Sequence, residues 1–182
     1  MVWALACGDP FTLPPATLET TDQNFTLHAL TGTPVTTASA FNLVVIGPVR
    51  TDRSVDFDFA FDIGVDSAYD VGTAGATVAV LLPRGALGLG LDAGLQVSSQ
   101  PFDSILVAPE SGYETVRGVV VDSGVVVLAS SRPQTCNFGF NRPRYAKLRV
   151  EQLDLAQRTI TLRVVVDPNC GYRGLGPGIP QQ

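Results

Sequence analysis

The chain has 182 residues, 45% of them apolar and 16% charged, enough for one well-filled core and short for two. A formal charge of -5 argues against the concentrated basic surface that phosphate contacts need, although basic residues collect late in the chain. That excludes a general nucleic-acid binder and disfavours an anionic membrane surface as a direct partner, and no run approaches the roughly 18 to 20 apolar residues of a membrane-spanning helix.

The first residues, MVWALAC, are too short for a secretory signal and lack its positive start. Leu5 and Ala6 before Cys7, with Gly8 after it, resemble a bacterial lipoprotein cleavage box, although Ala4 stands where Leu is usual. With a start codon upstream, Cys7 becomes the lipidated first residue of the mature protein; the alternative is an unstructured N-terminus with a stray Cys. The stretch from Gly8 to Gln23 is rich in Pro and Thr without an apolar period and reads as an extended tether. The expected division is therefore a tether over residues 1–23 and a single domain over 24–182.

Strand signals follow in series. Asn24 to Leu30 comes first, then Ala40 to Ile46, a continuous apolar run ended by Gly47 and Pro48. Val55 to Ile63 is the clearest alternation, with Val55, Phe57, Phe59, Phe61 and Ile63 on one side and Asp56, Asp58 and Asp62 on the other. Thr77 to Leu82 stops at Pro83, and Gly94 to Ser99 and Ser104 to Ala108 flank Pro101. VRGVVVDSGVVVLAS offers two Val-rich arms around Asp122, Ser123 and Gly124, the pattern of a hairpin. A longer hairpin joins Tyr145 to Leu155 with Thr159 to Val166, and Ile160, Leu162, Val164 and Val166 share one face of its return arm. No window carries a helical repeat of useful length. The expected fold is all-β, an antiparallel β-sandwich immunoglobulin-like in general plan, with a partly closed barrel as the alternative.

Little in the chain spells catalysis. Asp56, Asp58 and Asp62 would project from one strand face at roughly 7 and 13 Å along the chain, a separation open to inverting glycoside hydrolysis or a calcium contact. The first reading of that ladder is a solvated outer face that also discourages edge pairing. Asp52, Asp66 and Asp70 lack the loop spacing of a calcium site. GALGLGLDAG misses the GxGxxG of a dinucleotide turn and has no helix after it. One histidine, His28, and no GxSxG elbow give nucleophilic catalysis no motif, and one His with three Cys gives no zinc set. No catalytic, cofactor or metal residue is assigned, and Asn24, Phe25 and Thr26 spell a glycosylation sequon that a bacterial lipoprotein would rarely use.

Three Cys is an odd number, which in a secreted protein asks for one residue with a separate fate. Lipidation of Cys7 and pairing of Cys136 with Cys170 account for all three; three reduced, buried thiols are the alternative. The bridge would close a loop of about 34 residues, worth roughly 3 to 4 kcal/mol on chain entropy, and belongs to an oxidising compartment. It would also draw TCNFGFNRPRY and NCGYRGLGPG together. The resulting patch of Phe138, Phe140, Arg142, Arg144, Tyr172 and Arg173 is the candidate partner surface, because aromatics and Arg are enriched at binding hot spots. The competing reading puts the aromatics in the core and leaves the Arg residues as solvated edges.

The C-terminal third, YAKLRVEQLDLAQRTITLRVVVDPNCGYRGLGPGIP in particular, and the N-terminal Cys segment resemble exported (lipo)proteins of the Gemmatimonadota, which are GC-rich bacteria. In phototrophic members of that group, membrane-extrinsic polypeptides brace the photosynthetic reaction centre inside its light-harvesting rings. The resemblance implies a non-catalytic, cofactor-free, extracytoplasmic protein held at the membrane by an N-terminal lipid. Its partners would be subunits of a membrane protein complex, met through the aromatic and Arg-rich end. A glycan- or ligand-binding module is the second expectation and a hydrolase without a recognisable motif the third.

Overall fold

Ile160, Leu162, Val164 and Val166 all turn inward from one strand, and the face they form is the centre of the molecule. The computed structural model describes residues 13–65, 69, 75–137 and 139–180. Among these, the strands are β1 (Thr21–His28), β2 (Ala40–Asn42), β3 (Gly47–Val49), β4 (Phe59–Val65), β5 (Thr77–Pro83), β6 (Gly94–Ser98), β7 (Val119–Val120), β8 (Val126–Ser130), β9 (Gln134–Thr135), β10 (Asn141–Arg142), β11 (Tyr145–Asp154) and β12 (Thr159–Val166). One sheet runs β1-β12-β11-β8-β6 and the other β3-β2-β4-β5-β7, with every neighbouring pair antiparallel. The sheets pack face to face over Leu27, Phe41, Phe59, Phe61, Leu81, Leu148, Ile160 and Leu162. Phe59 stacks on Phe41 at 5.5 Å between ring centres, and Phe25 meets Phe41 edge-on at 5.0 Å. No closed barrel forms among the described residues; the fold is an all-β sandwich.

Several strand boundaries differ from the sequence expectation, each for a local reason. The apolar run from Ala40 to Ile46 is broken after Asn42, whose Oδ1 accepts from the Val44 and Val45 N–H groups and turns the chain. Ile46 then adopts a φ of 55°, and Gly47 and Pro48 begin the return strand β3 instead of ending β2. Pro48 is tolerated because β3 is an edge. Ser104 to Ala108 is not a strand: a 3-10 turn at Phe102–Ser104 and a single bridge from Val107 to Gly174 replace it. The arms around Asp122, Ser123 and Gly124 do not pair with each other, since β7 joins β5 in one sheet and β8 joins β6 and β11 in the other. That turn, with Gly124 at a φ of 83°, is a crossover between the layers.

The largest correction concerns the carboxylates. Each sheet is covered on its outer face as well. Phe102, Ile105, Ala108 and Leu175 roof β8, β11 and β12, while Leu30, Leu87 and Leu89 roof β2, β4 and β5. β4 is therefore buried on both sides, and Asp58 and Asp62 are 2% and 4% exposed, not solvated; only Asp56 of the three stands in water. Val55, expected inside, is exposed, and β4 begins only at Phe59.

Both buried carboxylates are filled with donors. Asp58 Oδ2 accepts from the Leu43 N–H at 2.7 Å, and its Oδ1 accepts from the Arg132 N–H at 2.9 Å and Nε at 3.1 Å. It thus ties the β2–β3 turn to the chain leaving β8 in the other sheet. Asp62 accepts from the N–H groups of Thr31 and Ile63 and from the hydroxyls of Thr31 and Tyr69, all within 2.9 Å. Burial, reinforced by this bond to Asp62, pushes the Tyr69 hydroxyl up to about 12. Removing a partner from a buried ion pair strands the other charge. Asp58→Ala should therefore cost about 3 to 5 kcal/mol in urea unfolding, while Asp56→Ala, at the exposed end of the same Arg132, should cost less than about 1 kcal/mol. Equal losses would contradict the structural role of Asp58.

Candidate functional site

The segment around Cys136, bracketed by Pro133 and Pro143, joins neither sheet. It folds on itself instead. β9 and β10 pair as a small ribbon, closed by the Cys136 N–H donating to the Phe140 carbonyl and the Gly139 N–H donating to that of Cys136. The expected Cys136–Cys170 disulfide is present, with Cα atoms 5.7 Å apart, and fastens this ribbon to the segment that leaves β12. Gly171 follows Cys170 at a φ of 83°, where a Cβ would stand 3.1 Å from Arg142 Cβ and Cγ and 3.4 Å from Leu13 Cδ2. Ribbon, C-terminal segment and Leu13 meet at this point.

Asn169 holds the third of these. Its Oδ1 accepts from the Thr17 and Leu18 N–H groups, both at 3.1 Å, and its Nδ2 donates to the Leu18 carbonyl at 2.8 Å. The amide grips Leu18 as a neighbouring strand would. Asp167 Oδ1 in turn accepts from Asn169 N and Nδ2. The Tyr172 hydroxyl donates to the Pro14 carbonyl, and Thr20 donates through N–H and hydroxyl to Gly178 and Gly176. Residues 13–20, part of the stretch read as a tether, thus lie as a strap along the C-terminal segment. Between the strap and the ribbon runs a groove of about 520 Å³, lined in part by Arg144, Asn169, Gln134 and Leu18.

The charges here differ from those elsewhere. Seven of the eleven Arg residues, namely Arg50, Arg84, Arg117, Arg132, Arg149, Arg158 and Arg163, lie within 4.0 Å of a carboxylate. Among the described residues, Arg53, Arg142, Arg144 and Arg173 form no such pair, and the last three belong to the disulfide end. Arg144 donates to the Val44 carbonyl but its Nε has no partner, and burial lowers its pKa while Asp167 opposes the shift. Asp167 is fully buried with Oδ2 unpartnered, and burial pushes its carboxyl above the usual range.

The candidate surface is only partly as expected. Phe140 and Arg142 are exposed on the ribbon. Arg144 and Arg173 are half-buried, Arg173 donating to the Ala108 carbonyl at 3.4 Å. Tyr172 is 4% exposed and is a packing residue, not a contact aromatic. Phe138 and Cys7 lie outside the described residues, as do Asp66 and Asp70. Sequence reading missed Asn169 and Asp167, although Asp167-Pro168-Asn169 carried a usable signal: an Asp that can accept from the N–H two residues on.

Elsewhere, the His28 ring makes no hydrogen bond among the described residues, and no three His, Cys, Asp or Glu side chains there could hold a metal ion. No described helix is long and apolar enough to cross a membrane. No protein-family model, curated protein or solved structure is significantly similar to this chain.

Asn169→Ala should speed hydrogen exchange at Thr17 and Leu18 by on the order of tenfold or more, since two N–H groups lose their acceptor, and leave Leu148 and Val164 unchanged. Unaltered exchange at Thr17 and Leu18 would show that the strap is held by something else. Asp167 gives a second expectation. With its folded pKa above the unfolded value of 3.8, the native state holds that proton more tightly, so this residue's contribution to stability falls as pH rises from 3.8 through the folded value. Asp167→Asn keeps the acceptor for Asn169 and removes the titration. Urea unfolding across that window should show the wild type losing ground to the variant as pH rises; parallel curves would contradict it.

Proposed function

We propose that this chain is a non-catalytic, extracytoplasmic subunit, held at a membrane by a lipid on Cys7, that braces a larger membrane protein assembly through its disulfide end. The observation that carries the reading is the meeting of three things at Gly171: a covalently fastened ribbon bearing exposed Phe140 and Arg142, the C-terminal segment, and Leu13 of the strap. Cys7 is six residues before Leu13, a span of at most about 22 Å. A lipid there would hold the ribbon close to the bilayer and to whatever protein stands in it.

Three further points support this reading. The disulfide is compatible with an extracytoplasmic compartment. The carboxylates that could have served as an acid and base pair, Asp58 and Asp62, have their oxygens occupied by structural donors. The likeness to exported Gemmatimonadota proteins makes a photosynthetic reaction-centre and light-harvesting complex the first assembly to test. A second reading, a glycan- or ligand-binding module, is favoured by the groove beside the ribbon, which Gln134, Asn137 and Asn169 help to line.

Mild detergent extraction of the native membrane should recover the chain in fixed stoichiometry with membrane proteins, and Phe140→Ala should lower that recovery. Recovery as a lone monomer would contradict the proposal, and retention on a polysaccharide resin would favour the second reading.

A further inference from the structure

We infer that the surface met by the disulfide end is an acidic protein surface, a step that rests on reading this end as the docking face. Arg142, Arg144 and Arg173 form no ion pair among the described residues, on a chain whose net charge is -5 and whose other Arg residues are paired with the exception of Arg53.

Arg142 packs against Gly171, two residues before Arg173, and both guanidiniums face Tyr145, while Arg144 turns the other way, to the Val44 carbonyl. Glu110 also faces Tyr145 but pairs with neither, and Asp167 is sealed beneath Arg144. A protein that pairs its cations this consistently and leaves Arg142 and Arg173 unpaired at the end that carries the exposed Phe140 presents a complement for carboxylates. Arg in such a place gives bidentate geometry and steers encounter.

An anionic lipid surface fits less well. Clusters that hold such surfaces carry about four to eight cations. A bilayer plane would also face the acidic remainder of the chain, whereas an acidic segment confined to this end stays beyond about a Debye length, 8 to 10 Å, from most of it.

Poly-L-glutamate resin is a direct probe that needs no partner. At about 50 mM salt the full-length protein should be retained despite its net negative charge, and about 300 mM salt should release it. The double variant Arg142→Glu with Arg173→Glu should bind at least about tenfold more weakly, with an unchanged circular dichroism spectrum. Arg53→Glu, which alters the other unpaired Arg away from this end, should behave as the wild type. Flow-through of the wild type, equal loss in Arg53→Glu, or binding to phosphatidylglycerol vesicles in place of the resin would overturn the inference. The two readings fail separately. A membrane complex indifferent to the double variant leaves the docking face standing and removes its acidic partner; resin binding without a membrane complex does the reverse.

Discussion

A loop that covers the outer face of a sheet carries its N–H and C=O groups into a dry place, and each needs a partner. That constraint governs this molecule, because both sheets are roofed as well as packed together. The partners are charged and amide side chains turned inward. Arg84 donates to the carbonyls of Val55, Phe57 and Leu89. Lys147, buried beneath Phe102, donates to the carbonyls of Phe102 and Ile105, and burial lowers its pKa. Arg158 reaches the carbonyls of Thr31 and Ile63, Asp62 takes the Thr31 N–H, and Asp58 takes those of Leu43 and Arg132.

The disulfide end follows the same rule with different means. Its ribbon is too short to be stable alone and belongs to neither sheet. A covalent bond fixes one side of it, and Asn169, next to that bond, supplies the strand-like grip that holds the strap. Here Arg142, Arg144 and Arg173 form no ion pair among the described residues, and here the ribbon, the strap and the C-terminal segment meet. The proposed docking role rests on guanidinium charge that no described carboxylate pairs, even though Arg144 and Arg173 also serve the Val44 and Ala108 carbonyls.

What sequence revealed depends on whether the deciding contact was local. β5, β6 and the β11–β12 hairpin announce themselves through turn residues and through Ile160, Leu162, Val164 and Val166, since strand and turn chemistry act within a few residues. The Cys pair was legible by arithmetic. Asp58 was not, because its burial depends on Arg132, 74 residues away, and on a roof built from Leu30, Leu87 and Leu89. The alternating pattern of Val55 to Ile63 is what one wet face would produce; the contrary hint lay in the unbroken apolar run from Val78 to Leu82 on the partner strand, which implies cover on both sides. At the candidate site, Phe140 and Arg142 were legible as surface residues. Tyr172 was not legible as a buried one, since its hydroxyl is satisfied by Pro14 from the far end of the chain.

The most direct test of this account is hydrogen-exchange or hydroxyl-radical footprinting of the chain in mild detergent extracts that hold the proposed membrane assembly, compared with the free protein. The account predicts protection concentrated at residues 134–142 and 167–174, around the disulfide, with the β1 and β6 edges unchanged. Protection at those edges, with the disulfide end left open to solvent, would contradict it.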